Sequence, residues 1–355
     1  MASIYKTIRN EDIATSRTIL HEAIPLTGTI VSGTYADGNI KDYSHGMFQS
    51  VYDYPYLSSS ANHIFDISVG ISDQSALYSN VSSQQAKKKN VYNQMAQVLV
   101  GYDKNGNIQR FDEDGDLTSG DKLDDVVFLT FSRLLVKDEI QKGTFSLELG
   151  VSGTYATPFS DNRITLKDTG ASSDYRVNSP AGDYGILYVS NSAGTPLDGI
   201  TGSTQQKAGL IYYQAGVAVV TASVFTDGLL SSSVEWNSSA ENLTASFTGS
   251  LIETNANSLR HRFYNLSFNN SIELNSTIYF CHIGANEFNY SSNPTYLSGS
   301  QIRVKNSDPT LSPISYATTI GLYSSDNQLM ATAKLSEPIK KTSANSLTFR
   351  VRLDY

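Results

Sequence analysis

The C-terminal quarter of the chain alternates between apolar and polar residues. Its last segment, 347–355, has an apolar side chain at every second position: Leu347, Phe349, Val351 and Leu353. Successive side chains of a β-strand point to opposite sides of the sheet, so this spacing puts the apolar residues on one face and Arg350 and Arg352 on the other. The pattern predicts a half-buried strand at the C-terminus.

A hairpin is predicted immediately before this strand. Segments 318–323 and 328–335 have the composition of strands, and the four polar residues 324–327 between them suit a hairpin loop. Pro338 follows the second segment. Because proline has no backbone N–H to donate, we expect the strand pairing to end there.

Short apolar segments separated by Gly, Ser, Asp and Pro occupy much of the remaining chain. Segment 209–222 is apolar on both faces, so we expect a central strand in which Gly216 marks a bulge or a close backbone approach. Short strands with polar turns are typical of a sandwich. The predicted fold is mainly β: an antiparallel β-sandwich with one principal helix and surface insertions. Its other strands are predicted at 61–69, 126–135, 144–149, 163–167, 184–189, 262–268 and 271–283.

The principal helix is predicted at 83–100. Apolar residues recur there at positions that share one side of a helix: Val91, Met95, Val98 and Leu99. Lys87, Lys88 and Lys89 fall in the first half, where cations oppose the helix dipole. We therefore expect these lysines on an exposed face or against an acidic neighbour.

The chain is predicted to consist of two parts. Residues 1–60 are interpreted as an arm or docking segment that becomes ordered only against neighbouring subunits, and residues 61–355 as the β-sandwich domain. Within the domain, 101–125 is an acidic loop, and 226–258, the least patterned stretch, is interpreted as a surface insertion.

Aromatic residues are concentrated in segment 47–56 without a strand or helix period. Such a cluster suits either a loop packed on its own domain or an arm that buries its rings in a neighbouring subunit. The only tryptophan lies in the predicted insertion, a natural place for subunit contacts. The interface residues predicted on this basis are Phe48, Tyr52, Tyr54, Tyr56 and Trp236.

The acidic loop contains the one pattern that resembles a metal site. Asp112, Asp114 and Asp116 place carboxylates at every second position, as calcium loops do at their start. The glycine and glutamate that an EF-hand requires further on are missing, so we expect Asx-type turns, with a weak Ca²⁺ site as the alternative. No other cofactor is expected.

Charge and composition narrow the classes of partner. The 355-residue chain has a formal net charge of −8 and no basic stripe apart from residues 87–89, so nucleic acid is not expected to bind. No stretch approaches the ~20 apolar residues of a membrane helix, and residues 1–12 lack the apolar core of a signal peptide. Neither membrane insertion nor secretion by that route is expected.

Catalytic motifs are absent from the sequence. The five histidines lack metal-ligand spacing, and neither a nucleophile elbow nor a P-loop occurs. Cys281 and His282 are neighbours in a predicted strand and therefore point to opposite faces, which excludes a nucleophilic pair. We expect Cys281 to be a buried apolar residue and the protein to have no enzymatic activity.

Several segments carry a family resemblance. The runs ANEFNYSSNPT at 285–295, TTIGLYSSDNQLMATAKLSEPIKK at 318–341 and RVRLDY at 350–355 resemble the C-terminal part of virion structural proteins of tailed, contractile-tailed bacteriophages of marine and cyanobacterial hosts. Segments 128–147 and 209–220 are similar to the same proteins.

The resemblance implies a non-enzymatic component of the phage tail or baseplate, made in the host cytoplasm and located in the virion. Its implied partners are other virion proteins and copies of itself in a symmetric assembly. Two alternatives remain: a neck or connector component, and a peripheral host-recognition module whose tyrosine-rich loops stack on glycan rings.

Overall fold

The structure, a computed structural model, describes residues 5–25, 37–79, 82–117, 119–160, 162–191, 194, 206–225, 236–291, 297–298, 301–302 and 314–355. Of these residues 43% are in strands and 17% in helices, and the sheets are antiparallel. The prediction of a mainly β, antiparallel fold is confirmed.

The described residues form four α-helices, three short 3₁₀ helices and seventeen strands. The α-helices are α1 (Ser83–Leu99), α2 (Arg133–Val136), α3 (Leu243–Gly249) and α4 (Ile252–Arg262), and the 3₁₀ helices are Asn10–Asp12, Asp37–Asn39 and Ala222–Phe225. The strands are β1 (Ile13–Pro25), β2 (Ile40–Asp42), β3 (Gln49–Tyr52), β4 (His63–Ile71), β5 (Asp125–Phe131), β6 (Glu139–Ile140), β7 (Ser146–Gly150), β8 (Arg163–Lys167), β9 (Tyr184–Asn191), β10 (Lys207–Tyr212), β11 (Val217–Thr221), β12 (Phe263–Ile283), β13 (Leu297–Ser298), β14 (Gln301–Ile302), β15 (Ile314–Tyr323), β16 (Leu329–Thr342) and β17 (Leu347–Asp354).

The chain divides into two compact units at places other than those predicted. One unit, here called the sandwich unit, is residues 20–272; the other, here called the hairpin unit, combines residues 1–19 with 273–355. Part of the predicted arm therefore belongs to the sandwich unit, because β3 pairs with β4 and buries Val51. That residues 1–60 become ordered only against neighbouring subunits stays a prediction.

One antiparallel sheet organises the sandwich unit. Its strands follow the order β12-β7-β8-β9-β10-β11-β5-β4-β3-β2, and β6 pairs with β12 beside this path. Phe65 of β4 contacts Phe263 of β12 with ring centroids 5.6 Å apart, and Phe131 of β5 lies 5.3 Å from Phe268 of β12. Strands distant in the order thus meet face to face, which gives the two apolar layers of the predicted sandwich.

The predicted central strand 209–222 is in fact a hairpin of β10 and β11. Gly216 lies in the turn with a φ of +66°, and its N–H donates to the carbonyl of Tyr212 at 2.9 Å. Both arms are buried on both faces, so their sequences are apolar without alternation, and Gln214 is the only polar interruption at the turn. The close approach at Gly216 is real, since an added Cβ would lie 2.7 Å from Val136.

Helix α1 agrees closely with the predicted helix 83–100, but the buried stripe is shifted. Val98 is 64% exposed, whereas Tyr92 and Ala96 are buried with Leu99. Tyr92 packs beside β4, and its hydroxyl donates to the carbonyl of Leu123 at 2.8 Å. A tyrosine provides a large apolar ring and a polar tip, so it fills a core position that a purely aliphatic stripe does not reveal.

The prediction of a surface insertion at 226–258 is wrong for the residues that the structure describes, 236–258. They form α3 and most of α4, whose inner faces bury Leu243, Phe247 and Ile252. Trp236 is fully buried, with its ring 4.9 Å from Phe225 and 6.3 Å from Phe247. Its ring is therefore part of the core and not available to another subunit.

The hairpin unit contains two antiparallel pairs. Residues 276–283 of β12 pair with β17, and β17 buries Phe349 and Val351 as the alternation predicts. Strands β15 and β16 form the predicted hairpin, but Pro338 does not end it. The register shifts between Ala317 and Thr319, which leaves Pro338 in a bulge, one of the few places in a sheet that tolerate proline.

Candidate interface and acidic loop

One candidate interface is an aromatic group beside the end of the sandwich sheet. Strand β2 is last in the strand order, so its outer edge has no strand partner among the described residues. Just after β2, the rings of Tyr43, His45 and Phe48 contact one another at centroid distances of 4.8, 5.0 and 5.2 Å. Two half-buried rings and the exposed ring of His45 next to an open strand edge are suited to covering by a second chain.

The predicted tyrosines after β3 form a separate group. Tyr52 lies 6.4 Å from Tyr56 and 5.5 Å from His63 between ring centroids, and burial raises the pKa of Tyr52 above its ordinary value. Tyr54 and Tyr56 are exposed. The structure thus brings two of the five predicted interface residues, Tyr52 and Tyr56, close together. Four of the five remain accessible to solvent: Phe48, Tyr52, Tyr54 and Tyr56. Their role in an interface stays a prediction.

The acidic loop is built from tight turns capped by aspartate side chains. Asp112 Oδ1 accepts hydrogen bonds from the N–H groups of Asp114 at 3.0 Å and Gly115 at 2.9 Å, and Asp114 Oδ1 accepts one from Asp116 N–H at 3.1 Å. Asp103 caps an earlier turn in the same way, through the N–H groups of residues 105 and 107. The Asx-type turns predicted from the sequence are confirmed.

The three predicted metal ligands do lie together, since Asp112, Asp114 and Asp116 offer carboxylate oxygens within 4.8 Å of one another. Lysines already neutralise part of this charge. Buried Asp112 forms an ion pair with Lys122, and Lys207 Nζ lies 3.6 Å from Asp114 Oδ2. A cation would compete with Lys122 for Asp112, and the weak Ca²⁺ site stays a prediction.

The second candidate interface, which the sequence reasoning missed, is the hairpin of β15 and β16. The two strands form a sheet of their own, without a third strand among the described residues. Large apolar side chains are exposed along it, and Met330 reaches 70% exposure. We call these residues the hairpin surface: Tyr316, Tyr323, Leu329 and Met330. One feature of the sequence could have indicated this surface: Met330 is a large apolar residue outside the alternation of Leu329, Ala331, Ala333 and Leu335.

Polar contacts hold the base of this hairpin. The buried Lys341 ammonium donates to the carbonyl oxygen of Ala285 at 2.9 Å and to Asn289 Oδ1 at 2.8 Å. The Ser315 hydroxyl donates to the carbonyl of Phe288 at 2.6 Å. At the other end, which carries Met330, the ring of Tyr323 contacts the ring of Tyr5 with centroids 4.8 Å apart, and both rings remain exposed.

Cys281 and His282 occupy opposite faces of β12, as the sequence predicts. Cys281 lies opposite Phe349 in the strand register and is half-buried, not fully buried. Burial raises the pKa of its thiol, which favours the less nucleophilic protonated form. His282 Nδ1 is 3.0 Å from Thr348 Oγ1. The two side chains are therefore separated by the strand.

Comparisons with protein-family models, with curated protein sequences and with solved structures find no match to this chain. In the described ranges, no helix is both long enough and apolar enough to cross a bilayer.

Proposed function

We propose that this chain is a non-enzymatic structural component of a bacteriophage virion, a tail or baseplate protein held in place by other virion proteins and by copies of itself. The observation that carries the proposal is the small core of the hairpin unit. Among its described hydrophobic residues only Phe349 and Val351 are buried, whereas the sandwich unit contains one continuous apolar core.

The hairpin unit exposes far more apolar side chains than it buries. Its exposed large hydrophobic residues are Tyr5, Ile19, Leu274, Phe280, Phe288, Tyr290, Tyr316, Tyr323, Leu329, Met330, Ile339 and Tyr355. Apolar surface concentrated in one part of a molecule is typical of protein contacts. Burying one such side chain contributes roughly 2 kcal/mol. Three or four buried in neighbouring subunits offset much of the cost of association.

The resemblance to virion structural proteins supports a particle as the place of assembly. The hairpin unit contains all three of the C-terminal runs that carry the resemblance. A protein of this kind is made in the host cytoplasm and becomes part of the phage tail. A neck or connector position uses the same kind of contacts and differs only in its neighbours.

The proposal is tested on phage particles whose genome encodes this chain. Purified particles are analysed by mass spectrometry and cryo-electron microscopy, and the gene is deleted in parallel. We expect the protein in a fixed copy number relative to the tail proteins, and particles without complete tails after deletion. If the protein is missing from purified, infectious particles, the proposal is wrong.

A host-recognition module is the second candidate. A polar pocket of about 270 Å³ in the hairpin unit favours it, lined by Thr15, Ser16, Arg17, Asn275, Ser276 and Tyr355. Hydroxyl and amide groups beside an exposed tyrosine ring suit a sugar residue. In that case deletion of the gene leaves complete particles that fail to adsorb to the host. Tyr355→Ser should weaken adsorption. The control Tyr102→Ser, which changes an exposed tyrosine of the sandwich unit, should not.

A further inference from the structure

We infer that four oxygen-bearing side chains at the β2 edge of the sandwich unit bind a divalent cation, Ca²⁺. The four residues are Asp42 of β2, Gln49 of β3, and Glu253 and Asn257 of α4. We call them the edge site. The edge site shares no residue with the acidic loop, and the inference goes beyond the proposed virion role without depending on it.

The fold brings the four residues of the edge site together in two pairs. Asp42 and Gln49 are directly opposite each other in the register of β2 and β3, so their side chains point to the same side of the sheet. Glu253 and Asn257 are four residues apart on α4 and are therefore neighbours on one face of this helix. A hydrogen bond from Gln49 Nε2 to Asn257 Oδ1, 3.0 Å long, joins the strand pair to the helix.

The amide of Gln49 is only half satisfied. The residue is 1% exposed, and its NH₂ group donates to Asp42 Oδ1 at 2.6 Å and to Asn257 Oδ1 at 3.0 Å. Its oxygen, Oε1, is buried and has no hydrogen-bond partner among the described residues. A buried acceptor without a partner is destabilising, and native proteins contain few of them. Gln49 therefore indicates a site in which its oxygen acquires a ligand.

The two carboxylates of the edge site carry charge that no cation offsets. Burial raises the pKa of the Glu253 carboxyl, and the nearby charge of Asp42 raises it further. Neither Asp42 nor Glu253 forms an ion pair in the described part of the chain. A cation between the two carboxylates would turn their mutual repulsion into attraction, because each would then lie next to an opposite charge.

A half-turn of the Gln49 amide completes the set of ligands. Oε1 would then take the place of Nε2, 2.6 Å from Asp42 Oδ1 and 3.0 Å from Asn257 Oδ1. Oxygens this close repel one another unless a cation lies between them, and oxygens that bind Ca²⁺ at about 2.3–2.6 Å are separated by similar distances. Asn257 Oδ1 also accepts a hydrogen bond from Arg260 Nε at 3.0 Å, which leaves its second lone pair for the cation.

The ligand set selects Ca²⁺ among the common metal ions. All four side chains offer oxygen, whereas Zn²⁺ and Cu²⁺ favour nitrogen and sulfur. Two amide oxygens and two carboxylates supply about four to six of the six to eight oxygens that Ca²⁺ takes, and water supplies the others. Mg²⁺ requires a nearly ideal octahedron with shorter bonds, which side chains from two strands and a helix do not readily form. The two carboxylates also balance the charge of one divalent ion.

Calorimetric titration of the full-length protein with CaCl₂ tests the inference. We expect a Kd on the order of 0.1–1 mM, the range of weak calcium sites, and binding of MgCl₂ at least about tenfold weaker. The double variant Asp42→Asn/Glu253→Gln keeps the size of both side chains but removes both charges, and it should lose one bound Ca²⁺ per chain. Asp114→Asn/Asp116→Asn removes the same charge from the acidic loop and should retain the Ca²⁺ of the edge site.

Urea unfolding gives a second measurement that does not depend on the heat of binding. A ligand that binds only the folded chain stabilises it, so the unfolding midpoint of the wild type should rise between 0.1 and 10 mM CaCl₂ at constant ionic strength. The rise should disappear in Asp42→Asn/Glu253→Gln and persist in Asp114→Asn/Asp116→Asn. Gln49→Met removes the amide oxygen without opening a large cavity and should reduce the rise.

The rotation of the Gln49 amide has its own signature in the NMR spectrum. The side-chain NH₂ signals of Gln49, identified by their loss in Gln49→Met, should shift on addition of CaCl₂, because both of their hydrogen bonds break. Three results would overturn the inference: a wild type that binds no Ca²⁺, binding that survives Asp42→Asn/Glu253→Gln unchanged, and binding that is lost in Asp114→Asn/Asp116→Asn alone. None of them bears on whether the chain is a virion component.

Discussion

Lys88 offers the sharpest test of how the sandwich unit is stabilised, through the substitution Lys88→Met. The side chain of Lys88 is fully buried, and its Nζ donates to the carbonyl oxygens of Ser246 and Phe247, both at 2.9 Å. These carbonyls lie in the last turn of α3, where backbone oxygens lack partners within the helix. Lys88 therefore caps α3 from the neighbouring helix α1.

Methionine keeps an apolar stem of similar length but removes both hydrogen bonds. The carbonyl of Ser246 retains a hydrogen bond from the N–H of Ser250 at 3.2 Å. The substitution therefore affects the carbonyl of Phe247 more than that of Ser246. A buried acceptor without a donor costs about 1–3 kcal/mol, whereas removing a buried ammonium also removes its desolvation cost. At pH 7.5 we expect the free energy of unfolding to fall by about 1 kcal/mol.

The loss should grow with pH. Burial lowers the pKa of Lys88 from 10.5 to about 8, and the nearby Glu241 carboxylate acts in the opposite direction. Between these two pKa values the unfolded chain holds the proton more tightly than the folded chain, so the stability that Lys88 contributes rises with pH. At ~1.4 kcal/mol per pH unit, the wild type should gain about 2 kcal/mol relative to Lys88→Met between pH 7.5 and 9.5.

Urea unfolding at pH 7.5, 8.5 and 9.5, followed by tryptophan fluorescence, measures this difference. Trp236 is the only tryptophan and contacts Phe247, so it reports on the region that Lys88 caps. Lys87→Met makes the same chemical change at a half-buried position and should cost less than about 0.5 kcal/mol at each pH. A difference between wild type and Lys88→Met that is constant or shrinks with pH would refute the reasoning.

Three further outcomes are expected. Asp168→Asn should destabilise the protein by about 2 kcal/mol in urea unfolding. The two oxygens of this buried carboxylate accept two backbone N–H bonds and one tyrosine hydroxyl bond at 2.7–3.0 Å, and the amide NH₂ that replaces one oxygen cannot accept the bonds made there. Gly216→Ala should lower the free energy of unfolding by about 2 kcal/mol, because Gly216 has a positive φ and an added Cβ would approach Val136. Gly106 has a φ of +85° but open space around it, so Gly106→Ala should lower the free energy of unfolding by only about 1 kcal/mol. Limited proteolysis of free protein should spare β2 and β3; cleavage between residues 40 and 52 would support the arm hypothesis instead.

Periodicity was sufficient where one side of an element faces the core and the other faces water. The alternation at 347–355 predicts β17, and Phe349 and Val351 are its buried residues. The helical spacing at 83–100 predicts α1 to within one residue. In both cases burial on one side leaves a period that the sequence displays directly.

Periodicity did not predict the structure where both faces of a strand are buried, or where a polar side chain is buried in the core. Both arms of the β10–β11 hairpin are apolar without alternation, so only Gln214 and Gly216 mark the turn in its sequence. Lys88 and Lys89 are adjacent in sequence, yet Lys88 caps α3 in the core while Lys89 pairs with Asp73 at 3.1 Å on the surface. Only the arrangement of other elements around α1 distinguishes the two lysines, and sequence spacing does not contain it.

The exposed hairpin shows why the candidate interface was missed although its strands were predicted. Alternation reveals that one face of a strand is apolar but not what covers that face. Ordering the backbone costs about 1–2 kcal/mol per residue, and a two-stranded ribbon without a buried face recovers little of it. Strands β15 and β16 have 10 and 14 residues, and most of their side chains remain exposed or half-buried. In the proposed assembly, a neighbouring subunit that covers Met330 would therefore stabilise the ribbon as it binds, and the hairpin should unfold more readily in the free protein than in the particle.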